Sequence, residues 1–205
     1  MKLYYAPGAC SLAPHIVARE AGLRLDLEKV DLGSGKTERG AAFADINPKG
    51  YVPALALDNG EVLTEASALL QYLADQAPGA GLLAQAGTPE RYRLLEWLGF
   101  ISTEIQKGFG PLWNPKMPDA AKAIAKANLA KRFAYLDNHL ARSPFLLGER
   151  FSVADAYLFT VTNWTNLHGI DLKPYANLSA YMQRIGARPK VQEALRAEGL
   201  LKDAA

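Results

Sequence analysis

The 205-residue chain is 49% hydrophobic and carries 23 Lys+Arg against 21 Asp+Glu, a formal net charge of +2. That apolar content over that length can bury one large core or two small ones and argues against disorder. The balance of charge, with no run of one sign, argues against nucleic acid or an anionic membrane surface as the main partner. Met1 is followed by Lys2 and an apolar strand that soon meets Pro7 and Gly8, which is not the pattern of a secretory leader. Apolar runs such as Phe145-Leu146-Leu147 fall far short of the roughly 20 residues that cross a bilayer, so a cytoplasmic protein is expected. Cys10 is the one cysteine of the sequence. No intrachain disulfide can form, and packing must supply the stability.

The first part of the chain alternates strand and helix. Lys2–Tyr5 reads as extended, and Ser11–Ala21 as a helix with Leu12, Ile16 and Val17 on one side and Gly22 as its stop. Leu25–Asp31 alternates apolar and polar residues, the pattern of a second strand parallel to the first across a helical crossover. A Gly33–Lys36 loop and a short helical stretch follow. Val52–Leu57 and Glu61–Leu63 then flank Asp58-Asn59-Gly60, a strong hairpin signal. Thr64-Glu65 opens a helix over Ala66–Asp75 with Leu69, Leu70 and Leu73 as its apolar stripe.

From Gln76 to Pro89 the sequence is rich in Pro, Gly and small residues, as linkers between compact units are. Beyond it strand signals vanish. Helical spacing runs through Arg91–Lys107, Ala120–Arg142, Val153–Leu167, Leu178–Ala187 and Val191–Glu198. Ser152-Val153-Ala154-Asp155 has the form of a local helix cap in which the Asp155 carboxylate returns to the Ser152 amide. The expected fold class is α+β: a thioredoxin-like β-α-β-α-β-β-α domain over residues 1–80, then an all-α domain over 88–205.

Cys10 is the residue with most chemistry to explain. A thiol at a helix start meets unpaired N–H groups and the positive end of the helix dipole, both of which favour the nucleophilic thiolate. A free cysteine can equally be a small buried hydrophobe, and position alone leaves both readings open.

The order of elements, with a helix-start cysteine and a Val-Pro step before the third strand, resembles the glutathione transferases. Residues 1–11 (Met-Lys-Leu-Tyr-Tyr-Ala-Pro-Gly-Ala-Cys-Ser), Asn47–Leu55, Leu63–Ala66, Gln71–Asp75 and Ser152–Tyr157 carry the likeness, which is strongest to the bacterial beta class. Each segment is weak alone; together, in order and spacing, they cover nearly the whole chain. The resemblance implies conjugation of glutathione to small hydrophobic electrophiles. It also implies glutathione as co-substrate with no other cofactor, and a homodimer with residues 90–107 facing the two-fold axis. Cys10 takes the place of the cysteine facing the glutathione sulfur, with the Ser11 hydroxyl beside it. Position 13 is Ala, so any thiol exchange is monothiol.

On the same resemblance, Val52-Pro53 is the cis-proline step whose backbone pairs with glutathione. Glu65 and Ala66 meet the ammonium and carboxylate of the γ-glutamyl group. Three positions depart from relatives. Gly35 stands where they carry Lys, so either Lys36 substitutes from a flexible Gly-Ser-Gly loop or it is a solvated surface lysine. Gln106 stands where a histidine is usual, and Gly99 where Asn is frequent; Thr103 is retained. Gln106 can donate a neutral hydrogen bond but carries no charge.

His15, His139 and His168 have no metal-ligand spacing, so no metal is expected and satisfied or solvated histidines are favoured. Trp97, Trp113, Trp164, Phe109 and Tyr157 either wall an apolar second-substrate pocket or pack as core. Gln106 and Gly99 keep a low-turnover binding protein open as an alternative. A glutathione-dependent dehalogenase or isomerase is the other.

Overall fold

The computed structural model describes residues 1–201, which pack as two units: Met1–Leu83 joined by the segment that begins at Ala187, and Ala84–Gly186. In the first unit the elements run β1 (Lys2–Tyr5), α1 (Leu12–Glu20), β2 (Asp26–Asp31), β3 (Lys36–Thr37), α2 (Phe43–Ile46), β4 (Ala54–Ala56), β5 (Val62–Thr64) and α3 (Ala66–Asp75). The sheet order is β3-β2-β1-β4-β5. β1 and β2 are parallel, as a helical crossover requires, and the remaining pairs are antiparallel. The Asn59-Gly60 signal closes the β4–β5 hairpin, where Gly60 takes φ 89° and its N–H reaches the Leu57 carbonyl at 3.0 Å.

Both faces of this sheet are buried. Tyr4, Val30, Phe43, Val52 and Ala54 form one cluster. Leu3, Ile16, Val17, Leu55, Leu69, Leu70 and Leu73 are each fully buried, as the apolar stripes of α1 and α3 predict. One strand is additional to the expected order: β3 lies inside what reads as loop, pairing Thr37 with Val30 and Lys36 with Asp31. Two residues between turns leave no periodicity to detect.

A second difference concerns the domain boundary. The helix α10 (Pro189–Ala197) belongs with the sheet unit and not with the helices expected around it, so the second domain does not run from 88 to the end. It packs along α1. Val191 and Ala194 are buried, and the Arg188 guanidinium forks onto both oxygens of Glu20 at 2.7 and 2.8 Å. An amphipathic stripe records that a helix needs a partner, not which one.

The second unit is helical: α4 (Pro89–Phe100), α5 (Gly110–Trp113), α6 (Asp119–Leu140), α7 (Val153–Thr162), α8 (Trp164–His168) and α9 (Ala176–Gly186). All ten residues of α7 are buried, which makes it the centre of this unit. Its start is the predicted cap: Asp155 Oδ2 accepts the Ser152 N–H at 2.8 Å and the Ser152 hydroxyl at 2.7 Å. The helix expected over Arg91–Lys107 changes winding at Phe100, where a π-helical turn (Ile101–Gln106) and a 3₁₀ turn (Lys107–Phe109) follow. The Thr103 hydroxyl donates to the Gly99 carbonyl at 3.0 Å, a back-bond of the kind that bends helices, next to a weak helix former.

Candidate functional site

Strand register brings four of the predicted segments to one end of the sheet. Tyr5 is level with Lys29 on parallel β2, Tyr4 with Ala54 on antiparallel β4, and Ala54 with Thr64 on β5. The exits of β1, β2 and β5 and the entry to β4 therefore lie together. They carry the Cys10 loop, the Gly35-Lys36 turn, Glu65-Ala66 and Val52-Pro53, whose peptide bond is cis.

Cys10 sits two residues ahead of α1 in a run of tight turns, with the Ala9 N–H on the Ala6 carbonyl and the Leu12 N–H on the Ala9 carbonyl, both at 3.0 Å. Its half-buried thiol donates to the Val52 carbonyl over 3.1 Å. That bond uses the thiol proton, so it belongs to the neutral sulfur; a thiolate must turn from this carbonyl toward a donor. Ser11 is not the free donor expected beside it. The residue is fully buried, and its hydroxyl accepts the Ala6 N–H at 3.1 Å and donates to the Ala6 carbonyl at 3.2 Å. Both partners lie inside the loop, so the hydroxyl fastens the turn. A small polar residue beside a nucleophile reads the same in sequence whichever way it points.

Glu65 is the N-cap of α3 and, among the described residues, the one non-glycine at positive φ (69°, ψ 117°). Such a backbone costs about 1–3 kcal/mol and gathers at ligand clamps. Its carbonyl takes the N–H groups of Ala68 and Leu69 at 3.0 Å each. The N–H groups of Ala66 and Ser67 have no hydrogen-bond partner among the described residues, so the first turn of α3 presents two free donors. Lys49 Nζ meets Glu65 Oε1 at 2.9 Å and Thr64 Oγ1 at 2.8 Å. Lys49 lies in the Asn47–Leu55 motif but gave no sign of this role, because the contact crosses from a loop to the next helix.

The Gly-Ser-Gly stretch folds as a hydrogen-bonded turn. Asp31 accepts the Ser34 hydroxyl at 2.7 Å and the Gly33 N–H at 2.9 Å, which together hold its carboxyl below the ordinary range. Gly35 takes φ 68°, the left-handed turn that glycine accommodates without steric cost. Lys36 is thereby placed on β3 with an exposed side chain that enters no ion pair among the described residues.

On the helical unit, Gly99 and Thr103 are exposed one turn apart, and Gln106 ends the π-helical turn half-buried. π-turns recur at functional sites because they re-aim side chains within a helix. The Tyr157 hydroxyl donates to Gln106 Oε1. This occupies the carbonyl end of the amide and leaves its NH₂ as the group Gln106 can offer.

Two family models match the chain: the glutathione S-transferase N-terminal domain over residues 8–76 and the C-terminal domain over residues 100–189. A glutathione S-transferase (GstA) of Escherichia coli O157:H7 is 47% identical over 98% of this chain and 100% of its own length. The chain belongs to the glutathione S-transferase family. Solved structures agree. A glutathione transferase from Methylococcus capsulatus is 60% identical with a TM-score of 0.96, covering 98% of this chain and 99% of that one. Two sphingomonad enzymes are each 49% identical with a TM-score of 0.95, covering 98% of this chain and 100% of theirs. One is a glutathione complex and the other a beta class protein from Sphingomonas chungbukensis.

Within this glutathione S-transferase the aromatic residues separate into groups. Trp113, Trp164 and Phe109 stack edge-on together with His168, whereas Trp97 joins Phe100, Tyr135 and His139. Tyr157 is buried against Gln106. His15 and His139 are satisfied, by Glu198 and by the Leu146 carbonyl, each at 2.9 Å. His168 is not: its buried Nε2 has no partner, and burial together with Lys126 lowers its pKa below the usual histidine value. Glu198, the last residue of the Val191–Glu198 stretch with helical spacing, is buried and reaches the Cys10 loop. Nothing local in the sequence marks it.

Proposed function

We propose that this chain is a cytoplasmic detoxification enzyme that conjugates glutathione to small apolar electrophiles, with Cys10 able to exchange disulfides as a monothiol. The observation that carries the reading is the shared sheet end, where the Cys10 thiol lies 3.1 Å from the Val52 carbonyl beside the free donors of α3. The Val52 backbone is assigned to glutathione's cysteinyl residue in the manner of an added strand. The Ala66 N–H and its neighbour hold the γ-glutamyl carboxylate, and Glu65 exchanges Lys49 for the ammonium. Gly35 and Lys36 are assigned the glycyl carboxylate. On the family resemblance Gly99, Thr103 and the Gln106 amide keep their expected part in binding glutathione, and Ser11 acts only by fastening the loop. In conjugation the glutathione thiolate forms the new C–S bond as the leaving group departs with its electron pair. In exchange, the Cys10 thiolate displaces a thiolate from a glutathione mixed disulfide, and a second glutathione thiolate then releases Cys10 as oxidised glutathione forms.

Gln106 favours a second reading, slow turnover with binding retained, because an amide stabilises a thiolate less than an imidazolium does. We also assign a second copy of the chain to the groove on α4 and α6, where Tyr92 and Tyr135 are exposed beside Trp97 and Phe100. Cys10→Ala tests the main reading. Conjugation of a chloro-nitrobenzene is expected to survive within about tenfold while glutathione-dependent disulfide reduction is abolished. Equal loss of both activities removes the separate role of Cys10, and absence of conjugation in the unaltered enzyme leaves the binding reading.

A further inference from the structure

The Cys10 loop is held from the far end of the sequence. Glu198 caps the C-terminus of α10, and its carboxylate is fully buried. Oε2 accepts the Gly8 N–H at 2.9 Å across 190 residues, and Oε1 meets His15 Nδ1 at 2.9 Å on α1. Arg19 Nε donates to His15 Nε2 at 3.4 Å, which makes Nδ1 the ring nitrogen that bears the proton toward Glu198. The Tyr5 ring stands 6.5 Å from the His15 ring. Directly after Glu198 the chain turns at Gly199 (φ 73°), and the Leu200 N–H returns to the Leu195 carbonyl at 2.8 Å. That turn lays Leu200 over Gly8, so that a Cβ on Gly8 would stand 3.6 Å from the leucine methyl. Gly8 itself takes φ 70°. A left-handed residue two positions before the thiol decides the path by which the loop reaches Cys10.

We propose that Glu198 is a positioning residue for Cys10: its hydrogen bonds to Gly8 and His15 fix the turn that aims the thiol at Val52. The inference does not depend on glutathione being the substrate. It concerns how the thiol is presented, and the sole cysteine of the sequence reports on that directly.

The test is the rate of alkylation of the full-length protein by iodoacetamide from pH 5 to 10, read together with thermal stability. Glu198→Gln keeps a carbonyl for the Gly8 N–H and can turn its amide to His15 only by the tautomer that gives up the Arg19 bond, so its rate–pH profile should move clearly less than that of Glu198→Ala. Glu198→Ala should change the rate at pH 7 at least about fivefold and move the profile along the pH axis. Leu200→Ala removes tail packing but neither hydrogen bond, so it should lower the melting temperature without moving the profile. If Glu198→Ala does not fold, Glu198→Asp, one methylene too short to span both partners, replaces it under the same criteria. The proposal is overturned if the Ala or Asp profile overlays the unaltered one, if Gln shifts it as far as Ala, or if Leu200→Ala shifts it equally.

Discussion

Two buried carboxylates, Asp155 in the helical unit and Glu198 in the sheet unit, are held in opposite ways. In the helical unit Asp155 accepts four hydrogen bonds: the N–H groups of Leu146 and Ser152, and the hydroxyls of Ser152 and Tyr181. All of its partners lie within 26 residues. In the sheet unit Glu198 accepts from Gly8 and His15, 190 and 183 residues away. Both offset the cost of burying an anion by saturating it with donors. The first closes a local cap and a loop, whereas the second fastens a reactive loop to the opposite end of the chain. Removing Asp155 should cost stability alone; removing Glu198 should cost stability and chemistry together.

Asp155→Ala is the harshest test of that contrast. Four donors lose their acceptor at once, and burial has already pushed the Asp155 carboxyl above its ordinary range and the Tyr181 phenol well above its own. We expect a loss of about 4 kcal/mol in urea unfolding with the alkylation rate of Cys10 in the folded fraction unchanged. A changed rate would erase the distinction between the two carboxylates. Glu198→Ala strands two donors and should cost about 2–3 kcal/mol. A loss below about 1 kcal/mol would mean that water replaces the carboxylate.

The reason one of these was legible in the sequence and the other was not is separation along the chain. The Ser152–Asp155 cap, the Asn59-Gly60 turn and the stripes of α1 and α3 are encoded within a few residues, and each appears as read. Cys10, Val52-Pro53 and Glu65 were legible only as a set, through likeness to a family, because strand register brings them together and no local pattern records it. Partner choice was not legible at all. The stripe on α10 did not announce α1, Ser11 did not announce that it faces Ala6, and Lys49 did not announce Glu65. Contacts that bridge distant segments leave each partner looking like an ordinary surface residue.

Ser11→Ala sharpens the comparison within the sheet unit at smaller scale. Its hydroxyl satisfies both polar groups of Ala6, so the loss should be about 1–2 kcal/mol, detectable as a lowered urea midpoint. The smallest expected effect is at His168. Burial and Lys126 depress its pKa below 6.5, so the folded protein binds fewer protons there than the unfolded chain. The stability this contributes is present above pH 6.5 and is lost as pH falls through the depressed value. His168→Phe should therefore lose less stability than the unaltered protein between pH 8 and pH 5, and parallel curves would contradict it.

The span between Gly8 and Glu198 has a consequence for biosynthesis. Gly8 leaves the ribosome 190 residues ahead of the carboxylate that captures it. The strand and helix that flank Cys10 can form early, and Ser11 can fasten the turn between them to Ala6, yet the Gly8 N–H has no carboxylate to meet until translation has reached α10. The long-range fastening of the Cys10 loop, unlike the local one, therefore waits for α10.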